Sequence, residues 1–98
     1  MIYARGIELE SGYKKEIETY NDELTTEELY ELCSEILIDS IWADYPMTVT
    51  YKRDNGTEKQ LANVDYIEYS ADRLFLTDRE ENTIIMSTDR MISLKEGD

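Results

Sequence analysis

Leu24–Asp44, LTTEELYELCSEILIDSIWAD, is the stretch on which the fold turns. Thr25 is followed three residues later by Glu28, which is the spacing of a capping box. In that motif the threonine oxygen accepts from the Glu28 backbone N–H, and the glutamate reaches back to the cap. Leu24 before the cap and Leu29 after it form the pair of a hydrophobic staple. Glu27 and Glu28 fall in the first turn, where the positive end of the helix dipole favours carboxylates. Leu29, Leu32, Cys33, Ile36, Leu37 and Ser40 then recur at helical spacing, and Tyr30 and Ile41 widen that face. Pro46 pushes Tyr45 towards extended geometry and closes the helical possibility. The spacing therefore predicts one long amphipathic helix over residues 25–44. Its back carries Glu28, Glu31, Glu35 and Asp39. Ile38 and Trp42 share that acidic side as an i,i+4 pair, and they are the expected contact anchors.

Working outward, the residues before the helix read as a hairpin spanning 2–20. Ile2 and Ala4 share one parity, and Ile7 and Leu9 share the other. A bulge at Gly6 would bring both pairs to one face. Ser11-Gly12 is a turn signal. Residues 14–20 fit a strand or a helix, and their Thr, Tyr and Ile content favours the strand.

After the helix, residues 47–94 read as an antiparallel meander. Met47, Val49 and Tyr51 alternate with Thr48, Thr50 and Lys52. Asp54-Asn55-Gly56 is a hairpin signal. A two-residue loop would set Lys52 opposite Lys59, whereas a three-residue loop sets it opposite Glu58 and sets Val49 opposite Leu61. Opposite charges help and like charges oppose, so the three-residue loop is expected. Further short strands follow at 64–69, 73–77, 83–87 and 91–94. Pairing Thr77 with Thr83 sets Leu76 opposite Ile84 and Leu74 opposite Met86 on one face. The same register puts Phe75 opposite Ile85 on the other. The expected architecture is a single α+β domain over residues 1–98, in the order β-β-α-β-β-β-β-β. One long helix packs on a curled antiparallel sheet of six to seven short strands, and the C-terminal half could form a small SH3-like barrel.

Charge bounds the function. The 98 residues hold 23 acidic and 10 basic side chains, a net charge of −13. Residues 1–45 carry 12 acids against 3 bases, and residues 46–98 carry 11 against 7. Such a field repels nucleic acid and anionic membranes and attracts basic partners. A hydrophobic content of 41% argues against disorder. The single cysteine, with no apolar leader or membrane-length run, points to a reducing, cytoplasmic setting.

Catalytic constellations are missing from the sequence. There is no histidine, which removes the commonest general base and metal ligand. Cys33 sits among apolar positions and reads as core. The four glycines are scattered, so no phosphate-cradling loop is formed. Asp54-Asn55-Gly56-Thr57-Glu58 lacks the remaining ligands of a calcium loop. No catalytic residue, metal site or cofactor is expected.

The expected function is a non-enzymatic, acidic protein-interaction module. Glu28, Glu31, Glu35, Ile38, Asp39 and Trp42 would meet the basic, nucleic-acid-binding surface of another protein. By size and charge this fits a DNA-mimic inhibitor of the kind phages and mobile elements direct at host defence proteins. Two alternatives stay open. One is a β-rich homo-oligomer that binds a small anionic ligand through Arg73, Arg79 and Arg90. The other is a structural or assembly component.

Overall fold

The computed structural model describes residues 1–18 and 22–97. Eight strands and one short helix follow in chain order. They are β1 (Ile2–Glu8), β2 (Lys14–Glu18), β3 (Glu23–Thr25), α1 (Thr26–Cys33), β4 (Ile36–Lys52), β5 (Glu58–Ser70), β6 (Arg73–Asp78), β7 (Thr83–Ser87) and β8 (Met91–Glu96). A single 3-10 turn, Thr88–Arg90, leads into β8. All strand pairings are antiparallel.

The helix starts where the cap predicts and stops much earlier than expected. The Glu28 N–H donates to Thr25 Oγ1 at 3.3 Å, and the Thr25 N–H donates to Glu28 Oε1 at 3.2 Å. The Thr26 hydroxyl donates to the Ile92 carbonyl at 3.2 Å, tying the first turn to β8. Leu24 and Leu29 are both buried. The last turn tightens: Ser34 and Glu35 donate to the carbonyls of Glu31 and Leu32, three residues back. The chain then enters β4.

Residues 36–44, expected as helix, are therefore strand, and the long amphipathic helix is corrected to eight residues. The reason lies in β-branched residues that meet partners on both sides. Ile36 and Ile38 alternate with exposed Leu37, and the segment pairs with β1 along Ile2↔Ala43 to Glu8↔Ile36. Paired on its other edge with β5, the backbone finds a hydrogen-bonded partner for its polar groups without helix formation.

β4 is the spine of the sheet. Its first half lies between β1 and β5, and its second half lies between β8 and β5. The switch occurs around Asp44-Tyr45-Pro46, where the register to β5 jumps from Trp42↔Tyr66 to Met47↔Val64. Proline removes a ladder donor, so it suits a bend. The Glu96 carboxylate accepts from the Tyr45 N–H at 2.9 Å, and the Pro46 carbonyl accepts from the Gly97 N–H at 2.8 Å. The hairpin partner of residues 47–53 and the strand expected at 64–69 are one strand, β5. It continues through a bulge at Asn63, whose φ is 59°.

The sheet runs β2-β1-β4-β5-β6-β7, with β8 and β3 added beside the second half of β4. It curls over α1 but does not close into a barrel: β2 and β7 end its main path and β3 ends the branch through β8, without pairing to one another. The C-terminal hairpins match expectation. Lys52 faces Glu58 and Val49 faces Leu61 across a loop with Gly56 at φ 81°. Thr77↔Thr83, Leu76↔Ile84, Phe75↔Ile85 and Leu74↔Met86 all pair as read. The N-terminal hairpin also forms, with β2 on β1; Thr19 and Tyr20, at its expected end, lie outside the described residues.

The bulge expected at Gly6 is misplaced by one strand. The extra residue is Asp39 on β4, between Arg5↔Ser40 and Gly6↔Ile38. Ile2, Ala4 and Gly6 consequently face the core, while Ile7 and Leu9 stay exposed. The core is built from Ile2, Ala4, Ile36, Ile38, Ile41, Met47, Val49, Val64, Ile67, Leu74, Leu76 and Leu94, closed over by Leu24 and Leu29.

Behind the core, Cys33 is half-buried, and its Sγ lies 3.9 Å from the Tyr69 hydroxyl. That hydroxyl donates to Asp72 Oδ1 at 3.3 Å. Burial pushes the Tyr69 phenol up from 10.0 to about 12. A raised folded-state value favours the neutral phenol. Its contribution to stability is therefore full below pH 10 and is lost as the pH rises towards 12. In a Tyr3→Phe background, which removes the other raised phenol, alkaline ultraviolet titration should show one phenol ionising late, and Tyr69→Phe should remove that step. A late step that survives Tyr69→Phe would refute the assignment.

Candidate docking face

Alternation along the strands gives the sheet two faces. One is the core. The other points away from α1, and its rows can be read from the register. Tyr3 lies beside Trp42, and Trp42 beside Tyr66, across β1, β4 and β5. Thr77 and Thr83 continue that row onto β6 and β7. In the next row Arg5, Ser40, Glu68, Phe75 and Ile85 follow one another. Ile7 and Leu37 pair in the third.

The aromatic row is ordered. The rings of Tyr3 and Trp42 stack with centroids 5.6 Å apart and 21° between planes. The Tyr3 hydroxyl donates to Asp44 Oδ1 at 2.9 Å. That hydrogen bond to a carboxylate holds the Tyr3 phenol above its ordinary value, so it stays neutral and donating. Tyr66, at 43% exposure, completes the row in the open. Leu37 and Ile85 are exposed at 62% and 56%.

Carboxylates rim this face. Glu18 lies opposite Tyr3, and Glu16 opposite Arg5. Glu68 sits between Ser40 and Phe75. Asp39 projects from the bulge, where Arg5 Nε lies 3.5 Å from Oδ1 and the Ser40 hydroxyl donates at 2.8 Å. Two cations lie in these rows: Arg5, already shared with Asp39, and Lys14 on β2, opposite Ile7.

The residues expected to form one acidic helix face are dispersed. Glu28 is engaged in the cap, Glu31 is exposed on α1, and Glu35 is in the turn after it. Ile38 is only 3% exposed and belongs to the core. Trp42 points to the opposite side of the sheet, so Ile38 and Trp42 are not a contacting pair on one surface. Trp42 and Asp39 are the two of the six that the open sheet face brings together. Tyr3, Tyr66 and Glu68 join them there. The sequence signal for Tyr3 was its parity against buried Ile2 and Ala4.

The three arginines considered for an anion are also separated. Arg73 and Arg79 stand at the two ends of β6, roughly 20 Å apart at strand rise. Arg79 Nε lies 3.7 Å from Asp65 Oδ1, and Arg90 pairs with Asp54. Arg73 lines a shallow cleft with Tyr30, Ser87 and Thr88, but Asp72 and Asp89 line it too. Among the described residues no three metal-binding side chains cluster, and no helix is long and apolar enough to cross a membrane. Comparison with family models, with characterised proteins and with solved structures finds no match for the chain.

Proposed function

We propose that this chain is a non-enzymatic interaction module whose open sheet face docks a basic protein surface. The observation that carries the reading is the Tyr3–Trp42–Tyr66 row, half-buried at Tyr3 and Trp42 and exposed at Tyr66, on an open face that carries carboxylates. An aromatic row on a sheet can stack nucleic-acid bases when the setting is basic. Here Glu16, Glu18, Asp39 and Glu68 surround it, in a chain of net charge −13. A phosphate backbone is repelled. The same rings and acids suit arginine and lysine, whose cations lie over aromatic faces and whose N–H groups meet carboxylates. A nucleic-acid-binding protein presents such side chains densely, and we infer that its basic surface is the partner. Occlusion of that surface, as an inhibitor from a phage or mobile element would achieve, is the cellular role that follows from this reading.

Trp42 is the single tryptophan, so its fluorescence reports on the face directly. Titration with an arginine-rich peptide should give a saturable change that weakens with added salt, as surface electrostatics require. A single-stranded oligonucleotide should give none. By calorimetry, Trp42→Ala and Glu68→Lys should each weaken peptide binding by about tenfold or more, equivalent to about 1.4 kcal/mol. An unresponsive Trp42, or preference for the oligonucleotide, would overturn the reading.

A further inference from the structure

The two ends of the main path of the sheet differ in chemistry. β2 is Lys14-Lys15-Glu16-Ile17-Glu18, with four charged residues in five. Charge on an edge strand is a standard guard against further pairing. β7 is Thr83-Ile84-Ile85-Met86-Ser87 and carries no charge at all. Ile84 and Ile85 are both exposed on it. In a chain with 34% charged residues, an uncharged and apolar edge is unprotected where its counterpart is guarded.

The direction of the free backbone groups can be read from the ends of β7. The Thr88 N–H donates to the Asp72 carbonyl at 2.9 Å, and the Asn82 carbonyl accepts from the Asp78 N–H at 3.0 Å. Residues of that parity therefore face β6. In a regular strand, Thr83, Ile85 and Ser87 then turn their N–H and C=O groups to the open edge. We infer that a second copy of this chain pairs antiparallel with that edge, about a two-fold axis through Ile85.

The strand is self-complementary in that register. Ile85 meets the partner's Ile85, Thr83 meets the partner's Ser87, and Ile84 meets the partner's Met86. The first two kinds of pair can each exchange two backbone hydrogen bonds. Phe75, opposite Ile85 on β6, extends the apolar row on both sides of the axis. The two-fold also sets the Glu80–Glu81 loop of one copy towards the end of the other at which Arg73 stands. Two chains of net charge −13 repel over most of their surface, so an uncharged edge is where they can meet. The charged β2 edge stops growth beyond the pair. Because antiparallel pairing keeps matched residues on one side of a sheet, the aromatic rows of both copies would lie on the same face. The inference stands independently of what docks there.

A five-residue edge is smaller than a standard interface, so the dimer is expected to depend on concentration. Sedimentation equilibrium of the full chain should show the 11.5 kDa monomer giving way to a species of twice that mass. Ile85→Lys sets like charges opposite at the axis and should leave a monomer with an unchanged circular dichroism spectrum. Register is tested in a Cys33→Ser background. Ile85→Cys should form a disulfide-linked dimer on mild oxidation, since Cα atoms of such a pair lie about 5.5 Å apart, within disulfide reach. Thr83→Cys alone should not form one, but mixed with Ser87→Cys it should. A chain that stays monomeric up to about 1 mM, or a dimer that survives Ile85→Lys, would overturn the inference. So would cross-linking through Thr83→Cys alone.

Discussion

Gly6→Ala is expected to lower stability by about 3 kcal/mol, near the upper end of ordinary overpacking costs. For a domain of this size that is roughly 12–24 °C in melting temperature. A Cβ at Gly6 would lie 2.1 Å from the Leu37 carbonyl oxygen, 2.7 Å from its carbon and 2.8 Å from Ile38 Cα. All three are backbone atoms of the adjacent strand, so no rotamer change relieves the clash. The cause is the bulge: Asp39 adds a residue to β4 opposite Arg5 and Gly6, and β4 closes down on the glycine. Separation of β1 from β4 at that point would open the core beside Ala4 and Ile38. Gly12→Ala is the matched control. Gly12 needs a positive φ of 75° but has nothing within 4 Å of a Cβ, so only backbone strain of about 1 kcal/mol applies. Urea denaturation of both variants measures the difference. If Gly6→Ala costs no more than Gly12→Ala, the close approach of β4 is wrong.

The same bulge explains why part of the fold was legible in the sequence and part was not. Where local chemistry sets the register, the reading carries through. Asp54-Asn55-Gly56 fixes the loop that puts Lys52 opposite Glu58, and uninterrupted alternation fixes Phe75 against Ile85. The cap at Thr25 carries through because its hydrogen bonds lie within four residues. Residues 36–44 fail for an identifiable reason. Ile36 and Ile38 alternate as a strand should, but Asp39 shifts the phase, and the next core residue is Ile41. Ile38 and Ile41 are thus three apart, which is helical spacing produced by a bulged strand. No glycine marks the end of α1; Ser34 does so, with its hydroxyl donating to the Glu31 carbonyl at 2.6 Å. The docking face inherits the error. Trp42 stands out as a large ring near acids under either reading, but its neighbours Tyr3 and Tyr66 come from strands 39 and 24 residues away in sequence. Only the pairing of β1, β4 and β5 assembles them, and pairing over such separations leaves no local signal.

The adjacent residues Leu37 and Ile38 give the sharpest test of where α1 ends. Ile38→Asp should be among the most damaging single changes in the chain, while Leu37→Asp should be close to neutral. Ile38 is 3% exposed between Ile36 and Ile41. A carboxylate there has no water. It must either stay charged at a cost of several kcal/mol or take up a proton and still lack partners. A cost of about 4 kcal/mol or more is expected. That is much of the roughly 5–15 kcal/mol that holds a domain of this size together. Leu37 is 62% exposed opposite Ile7. Its loss removes one exposed apolar contact and should cost under about 1 kcal/mol. A helix continuing to Asp44 makes the opposite prediction, because it places Leu37 on the core-facing stripe and Ile38 on the acidic side. Thermal melts of the two variants decide between them: destabilisation by Leu37→Asp with tolerance of Ile38→Asp would restore the long helix. It would also return Ile38 to the surface and remove the sheet face on which Tyr3, Trp42 and Tyr66 are aligned.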